Sequence, residues 1–294
     1  MRGRLLAAAA GVLADAVLGE PPLQPHPVAA FGGLMERAEG VLYRDARGAG
    51  VAHAACGVLT GVAAGAAVGS TALATYLAVA GRALREAAIE VADALGAQDL
   101  DTARRLLPSL AGRDPDGLDE AGIARAVVES VAENSVDALV APALWGALAG
   151  APGALGYRAV NTLDAAVGHR NSRYRRYGWA SARLDDLANL VPARVTAGLV
   201  ALVRPASAGA VLRAVRRDAP AHPSPNAGVA ESAFAAALGL RLGGTNCYGG
   251  RVEVRPPLGS GRPAGAGDIV RAAALSRDVG LALGSGLVLA GACT

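Results

Sequence analysis

The sequence predicts an all-α polytopic membrane protein, with short or re-entrant membrane helices and amphipathic helices on the cytoplasmic side. Three observations carry this fold class. The mean hydropathy is +0.34 and 52% of the 294 residues are apolar, which is high for a soluble domain. The apolar content is alanine and glycine, with only 3% aromatics, and small residues let membrane helices approach closely. Apolar runs also recur along the chain. The clearest, residues 51–81, exceeds the roughly 20 residues that cross a bilayer.

The elements follow in chain order. Arg2 and Arg4 precede an apolar stretch that mimics a signal peptide, with Ala14-Asp15-Ala16 as a pseudo-cleavage site. Further apolar segments lie downstream, so a retained helix over residues 5–18 is the expectation. Residues 51–81 carry only His53, Cys56 and Tyr76 as ionisable groups, and no Asp, Glu, Lys or Arg. Weaker spans are residues 135–157, 190–203 and 279–292. Residues 82–134 read as two amphipathic helices broken by "AGRDPDG". Residues 158–189 are rich in arginine. Residues 204–269 begin helical and end in "RPPLGSGRPAGAG", which is loop by composition. Arginine counts place both the 82–134 and 158–189 stretches inside, so the segment between them must return to the same face. "GAPG", residues 150–153, suits the break of a re-entrant hairpin; a single crossing is the competing reading. No internal repeat is visible, and the chain reads as one integral membrane domain, residues 1–294.

Composition also excludes chemistry. All 28 basic residues are arginine, so a P-loop lysine, a Schiff-base lysine and a Ser-Lys dyad are absent. Cys56, Cys247 and Cys293 have no CxxC spacing, which argues against zinc, redox chemistry and a disulfide framework. The net charge of +3 and pI near 9.0 suit anionic small molecules and lipid; no nucleic acid is expected.

Four groups of residues are candidates for chemistry. On a helix, Arg125, Glu129, Glu133 and Asp137 form one stripe, with Asn134 beside it. Successive acids at this spacing repel, and Asp137 stands at the edge of an apolar run, so a cation would relieve both problems. Residues 182–194, "ARLDDLANLVPAR", offer Asp185, Asp186 and Asn189 as hard oxygen ligands of the kind magnesium prefers. Arg183 and Arg194 flank them and suit phosphate oxygens. "VNTLDAAVGHRNSRYRRYG" adds Asn161 and Asp164, with Arg170, Arg173, Arg175 and Arg176 as a phosphate platform or a lipid-headgroup anchor. His26 in "PPLQPHPV", Arg113 and Asp114 in "GRDPDG", and Asn226 in "HPSPNAG" are presented by stiff or turn-rich segments. Each acid also has a plain reading as a solvated helix face.

Together these stretches resemble a known family. "GEPPLQPHPV", "GRDPDGLDEAGIARAVVESVAENSVDALVAPALW", "GAPGALGYRAVNTLDAAVG", "RYGWASARLDDLANLVPARV", "SPNAGVAESAFAAALGLRLGG" and "RPPLGSGRPAGAGDIVRA" are similar, in order and over nearly the whole chain, to the signature blocks of adenosylcobinamide-phosphate synthases, the CobD/CbiB family. The departures are "GEPP" where Gly-Asp-Pro is more usual and Ser135 where threonine is common.

The resemblance implies a multi-pass ligase of the cell membrane with its active-site loops in the cytoplasm. It would join a carboxylate of adenosylcobyric acid, a corrinoid, to the amine of an aminoalcohol phosphate, using ATP and Mg2+. In such an enzyme Glu129, Glu133, Asn134 and Asp137 are the candidate catalytic residues, and Glu133, Asp137, Asp185, Asp186 and Asn189 the candidate metal ligands. Substrate binding would fall to His26, Arg113, Asp114, Arg125, Asn161, Asp164, Arg183, Arg194 and Asn226. A homo-oligomer is compatible with it. The competing functions are an AmpE-like membrane sensor and a magnesium-dependent phosphotransferase or prenyltransferase.

Overall fold

The structure is a computed structural model that describes residues 1–169, 171–248 and 251–294. Its helices in chain order are α1 (Arg2–Leu18), α2 (Pro27–Leu42), α3 (Arg47–Val68), α4 (Thr71–Ala78), α5 (Gly81–Gly96), α6 (Leu100–Leu106), α7 (Glu120–Ser135), α8 (Ala141–Val167), α9 (Tyr174–Tyr177), α10 (Trp179–Ala188), α11 (Leu190–Val203), α12 (Ala208–Asp218), α13 (Ala227–Leu238) and α14 (Ala266–Ala292). The single sheet among the described residues is an antiparallel hairpin of β1 (Leu242–Tyr248) and β2 (Arg251–Leu258). This is an all-α polytopic membrane protein. Among the described residues, three helical stretches are long and apolar enough to cross a bilayer: Arg47–Val68, Glu120–Val167 and Ala266–Ala292. The bent pair Trp179–Ala188 and Leu190–Val203, angled by 42°, passes the same test jointly.

Several sequence expectations shift in detail. The apolar stretch 51–81 is two helices, because Gly69 takes a left-handed conformation after α3 and Ser70 caps α4. The expected break at 150–153 is real: Gly150 has φ 72 and ψ −156, a conformation closed to most side chains, and it kinks α8. A π-helical turn at Val136–Val140 interrupts the same helical run fourteen residues earlier. Residues 82–134 form α5, the short α6 and α7, with "AGRDPDG" between α6 and α7 as expected. The "RPPL" of the glycine- and proline-rich stretch, expected as loop, is the end of β2. Pairing with β1 outweighs its composition, since the prolines fall where the strand meets a bulge.

The chain divides into two compact units, each assembled from separate segments. The first comprises Met1–Ala80, Asp137–Pro192 and Leu283–Thr294. In it α3 and α4 pack on α8, α1 packs on α4 and α8, and α10 packs on α8 and α3. The contact of α3 with α8 follows from Gly57, Gly61 and Gly65, four residues apart on one face. A Cβ at Gly57 would come 2.7 Å from Leu163, and one at Gly61 would come 2.6 Å from Ala159. The backbones therefore touch where a side chain would hold them apart.

The second unit comprises Gly81–Val136 and Ala193–Ala282. There α13 packs on α7 and α12, α5 packs on α6 and α7, and the hairpin lies against α7, α12 and α13. Its core holds Ile123, Val127, Val128, Val131, Phe234 and Leu238. Ser135 and Ser276 bond across it at 2.8 Å.

Candidate functional site

In the first unit a polar cluster is built from Asp137, Tyr157, Asn161, Asp185 and Asn189. Residues 157 and 161 are one turn apart on α8, and residues 185 and 189 are one turn apart at the end of α10, so each pair shares a helix face. Tyr157 Oη donates to Asn189 Oδ1 at 2.8 Å and to Asp137 Oδ1 at 3.4 Å. Asn161 Nδ2 donates to Asp137 Oδ2 at 3.2 Å and to Asp185 Oδ1 at 3.4 Å. Asn189 Nδ2 donates to Asp185 Oδ2 at 3.0 Å. Arg158 reaches Asn161 Oδ1 at 3.4 Å. Two carboxylates thus share one amide NH2, whose positive edge lies where opposite charge is needed. Asp186 pairs with Arg183 at 3.1 Å. Among the described residues, no three His, Cys, Asp or Glu side chains converge as a ready metal cage. Two neighbouring carboxylates nevertheless fit magnesium, which takes one or two carboxylates and leaves its other positions to water and phosphate.

In the second unit Glu129 is 2% exposed and receives two donors: Arg113 Nη2 at 2.8 Å and the Gly243 amide at 2.7 Å. Gly243 and Gly244 both have positive φ and form a bulge in β1. A Cβ on Gly243 would strike the Pro256 carbonyl, so this turn of the amide toward Glu129 requires glycine. Arg113 Nη1 continues to Asn246 Oδ1 at 3.0 Å. Arg125 donates to the carbonyls of Gly243 and Thr245 and to Asn246 Oδ1. A cleft of about 450 Å³ opens beside these residues, lined by Asp119, Arg125, Arg241, Gly243 and Gly244 among others. Farther along the unit, Arg194 Nη1 holds Asn226 Oδ1 at 2.8 Å. His222 Nε2 lies 3.7 Å from Glu231 and 3.5 Å from Arg255. Burial, and then the Arg255 charge, lower the His222 pKa.

The expected acidic stripe is therefore not one uniform face. Glu129 is buried on Arg113 and the hairpin, not paired with Arg125, while Glu133 is exposed. Asn134 bonds back to Ser130 within its own helix. Glu129, Glu133 and Asn134 belong to the second unit and Asp137 to the first. The π turn ends the regular period that would place Asp137 in line with Glu133. His26 caps α2, its Nδ1 accepting from the Val28 amide at 3.4 Å. Asp114 and Asp164 are half-buried, Asp164 lying at the end of α8. Of the arginine platform, Arg170 lies outside the described residues, Arg173 is held by Glu39 at 2.8 Å and Arg176 is 3.9 Å from Asp45. Cys56 and Cys293 are free and exposed, and the Cys247 side chain lies outside the description.

Residues not singled out from sequence are Tyr157, Asn246, His222, Glu231 and Arg255. Tyr157 and Glu231 carried a signal: a phenol one turn before Asn161, and one acid inside an alanine-rich helix.

Comparison with known proteins places the chain in a family. Residues 8–276 match the family model described as CobD/Cbib protein. The cobalamin biosynthesis protein CobD of Mycobacterium tuberculosis (strain CDC 1551 / Oshkosh) is 48% identical over 284 residues, covering 92% of this chain and 90% of that protein. The protein of the same name from Geobacter metallireducens is 44% identical over 277 residues, with 84% of each covered. That from Stutzerimonas stutzeri is 44% identical over 262 residues, with 85% and 86% covered. No solved structure matches. With a family model spanning nearly its full length and relatives this similar over most of both chains, the chain belongs to the CobD/CbiB family.

Proposed function

We propose that this protein acts in cobalamin biosynthesis as an adenosylcobinamide-phosphate synthase. It joins a carboxylate of adenosylcobyric acid to the amine of an aminoalcohol phosphate such as (R)-1-aminopropan-2-yl phosphate, at the cytoplasmic face of the cell membrane. The observation that carries this reading is the family match over residues 8–276, beside relatives named for cobalamin biosynthesis.

The chemistry asks for few parts. A carboxylate does not react with an amine, because an oxide would have to leave. Phosphorylation by ATP converts that oxygen to phosphate and divides one hard step into two easier ones. Asp137 and Asp185, which the Asn161 and Asn189 NH2 groups hold, suit the magnesium that accompanies ATP; bound there, it would offset the phosphate charge. Tyr157 and Asn161 fix the two carboxylates in place. In the second unit Arg125 and Arg194 are held by protein acceptors and would supply positive charge, whereas the charge of Arg113 is met by Glu129. The engagement of Asp186 with Arg183 argues against a prenyltransferase-type site, in which both aspartates of "LDD" would serve diphosphate-bound magnesium.

The test is reconstitution in detergent with adenosylcobyric acid, the aminoalcohol phosphate, ATP and magnesium. Amide product with ADP and phosphate supports the reading, and label from the substrate carboxylate should appear in the phosphate. AMP and pyrophosphate would replace the acyl phosphate by adenylation. A protein that binds the corrinoid without forming product would favour the AmpE-like sensor.

A further inference from the structure

Glu231 is the single acid on α13, a helix otherwise of small and apolar residues. It is 1% exposed, and neither carboxylate oxygen has a hydrogen-bond partner. Buried carboxyl groups are ordinarily satisfied, so such a group asks for an explanation. Unmet donors accompany it in the same unit: Asn246 Nδ2 and Arg113 Nε are also buried without partners. The charged groups that act on Glu231 come from every side. His222 stands in the loop before α13, Glu129 and Glu133 on α7, Arg255 on β2, and Arg113 ahead of α7. Burial, and then the two acids, push its pKa well above the usual carboxylate range, and the arginines offset this in part. Burial and the Arg255 charge lower the His222 pKa, which disfavours an imidazolium 3.7 Å from Glu231.

We infer that Glu231 receives the amine end of the second substrate and takes the proton that this nitrogen must lose before it can attack. The inference rests on the amide-ligase reading above. An alkylammonium has no lone pair for attack. Transfer of one proton to the Glu231 carboxylate breaks an N–H bond and forms the O–H of a neutral acid, freeing the nitrogen lone pair. That pair forms the C–N bond as the C–O bond to phosphate breaks, and the second N–H proton leaves with the phosphate. A buried carboxylate is a stronger base than an exposed one, and the exchange turns two buried charges into none. An imidazolium at His222 would pair with the carboxylate and weaken it as a base.

The experiment uses the full chain in detergent, with saturating adenosylcobyric acid and ATP–magnesium and 1-aminopropan-2-yl phosphate as the varied substrate, between about pH 5.5 and 10. Wild-type kcat/KM for the amine should level off well below pH 10, near which alkylammonium groups ordinarily ionise. Glu231→Gln should lower it about 100-fold at pH 7, and its profile should climb until the amine itself ionises. Glutamine matches a protonated carboxyl in shape, so an unchanged rate and profile would make Glu231 structural and overturn the inference alone. If the variant does not fold, the wild-type profile decides: a rise that continues to the amine's own ionisation overturns it. Absence of any amide product from wild type would overturn both this inference and the ligase reading.

Discussion

Arg113 and Glu129 form an ion pair at 2.8 Å with side chains only 6% and 2% exposed. Sixteen residues separate them, and the pair ties the "AGRDPDG" turn to the middle of α7. Removing one partner of a buried pair strands the other charge, which typically costs 3–5 kcal/mol. Arg113→Met should therefore destabilise the protein by about 3 kcal/mol, measured by unfolding in detergent. Adding Glu129→Leu should recover part of the loss, although the Gly243 amide then loses its acceptor. An Arg113→Met variant as stable as wild type would show that the pair is not closed in solution.

The Asp137–Asp185 cluster predicts a different phenotype. Asp185→Asn removes the charge and keeps the size, while leaving one of the two amide donors that Asp185 accepts from without its acceptor. Turnover should fall about 100-fold or more, with folding intact and a raised magnesium requirement. Asp186→Asn, whose partner is Arg183, should have the smaller effect. Equal losses in the two variants would show that the two aspartates act as a pair.

Close helix contact makes a third test. Gly61→Val should cost about 1–3 kcal/mol through overpacking, since its Cβ would lie 2.6 Å from that of Ala159. Gly48→Ala, with nothing within 4 Å, is the control. Membrane extraction and thermal unfolding read both.

The pH dependence of stability follows from Glu231 and His222. Glu231 has a raised pKa in the folded state, so the folded protein binds more protons than the unfolded chain above about pH 4.3. Stability should fall as pH rises through that window, and Glu231→Gln should flatten the slope. His222, with its lowered pKa, acts in the opposite sense: its contribution is present above about pH 6.5 and lost as pH falls toward the folded value. Unfolding temperatures of wild type and Glu231→Gln across pH 5 to 8 should converge at the acid end; curves that stay parallel would show that Glu231 does not titrate differently on folding.

Topology gives the last test. The arginine-rich segments near Arg113 and Arg176 should both face the cytoplasm. Single cysteines introduced near them should resist an impermeant reagent in intact cells and react after lysis. Reaction at both sites in intact cells would reverse the orientation.

The sequence by itself determined the class of fold and the identity of much of the polar inventory. Composition and apolar run length report on the bilayer directly, because hydrocarbon demands helices of a minimum length. Local chemistry also marked the break at Gly150, and the one-turn spacing of Asp185 and Asn189 survives intact in the cluster. What only the tertiary structure decided is which of those polar groups meet. The acids of α7 look alike in sequence, yet Glu129 is buried under a hairpin whose glycine bulge lies over a hundred residues away, and Glu133 is exposed. The π turn at Val136–Val140 stops the period on which the single stripe depended. Glu231 reads as an ordinary acid among alanines until packing removes both water and partners from it. Helical period is a local property, whereas burial and charge pairing depend on segments distant in the chain, and those give the same side chain different chemistry.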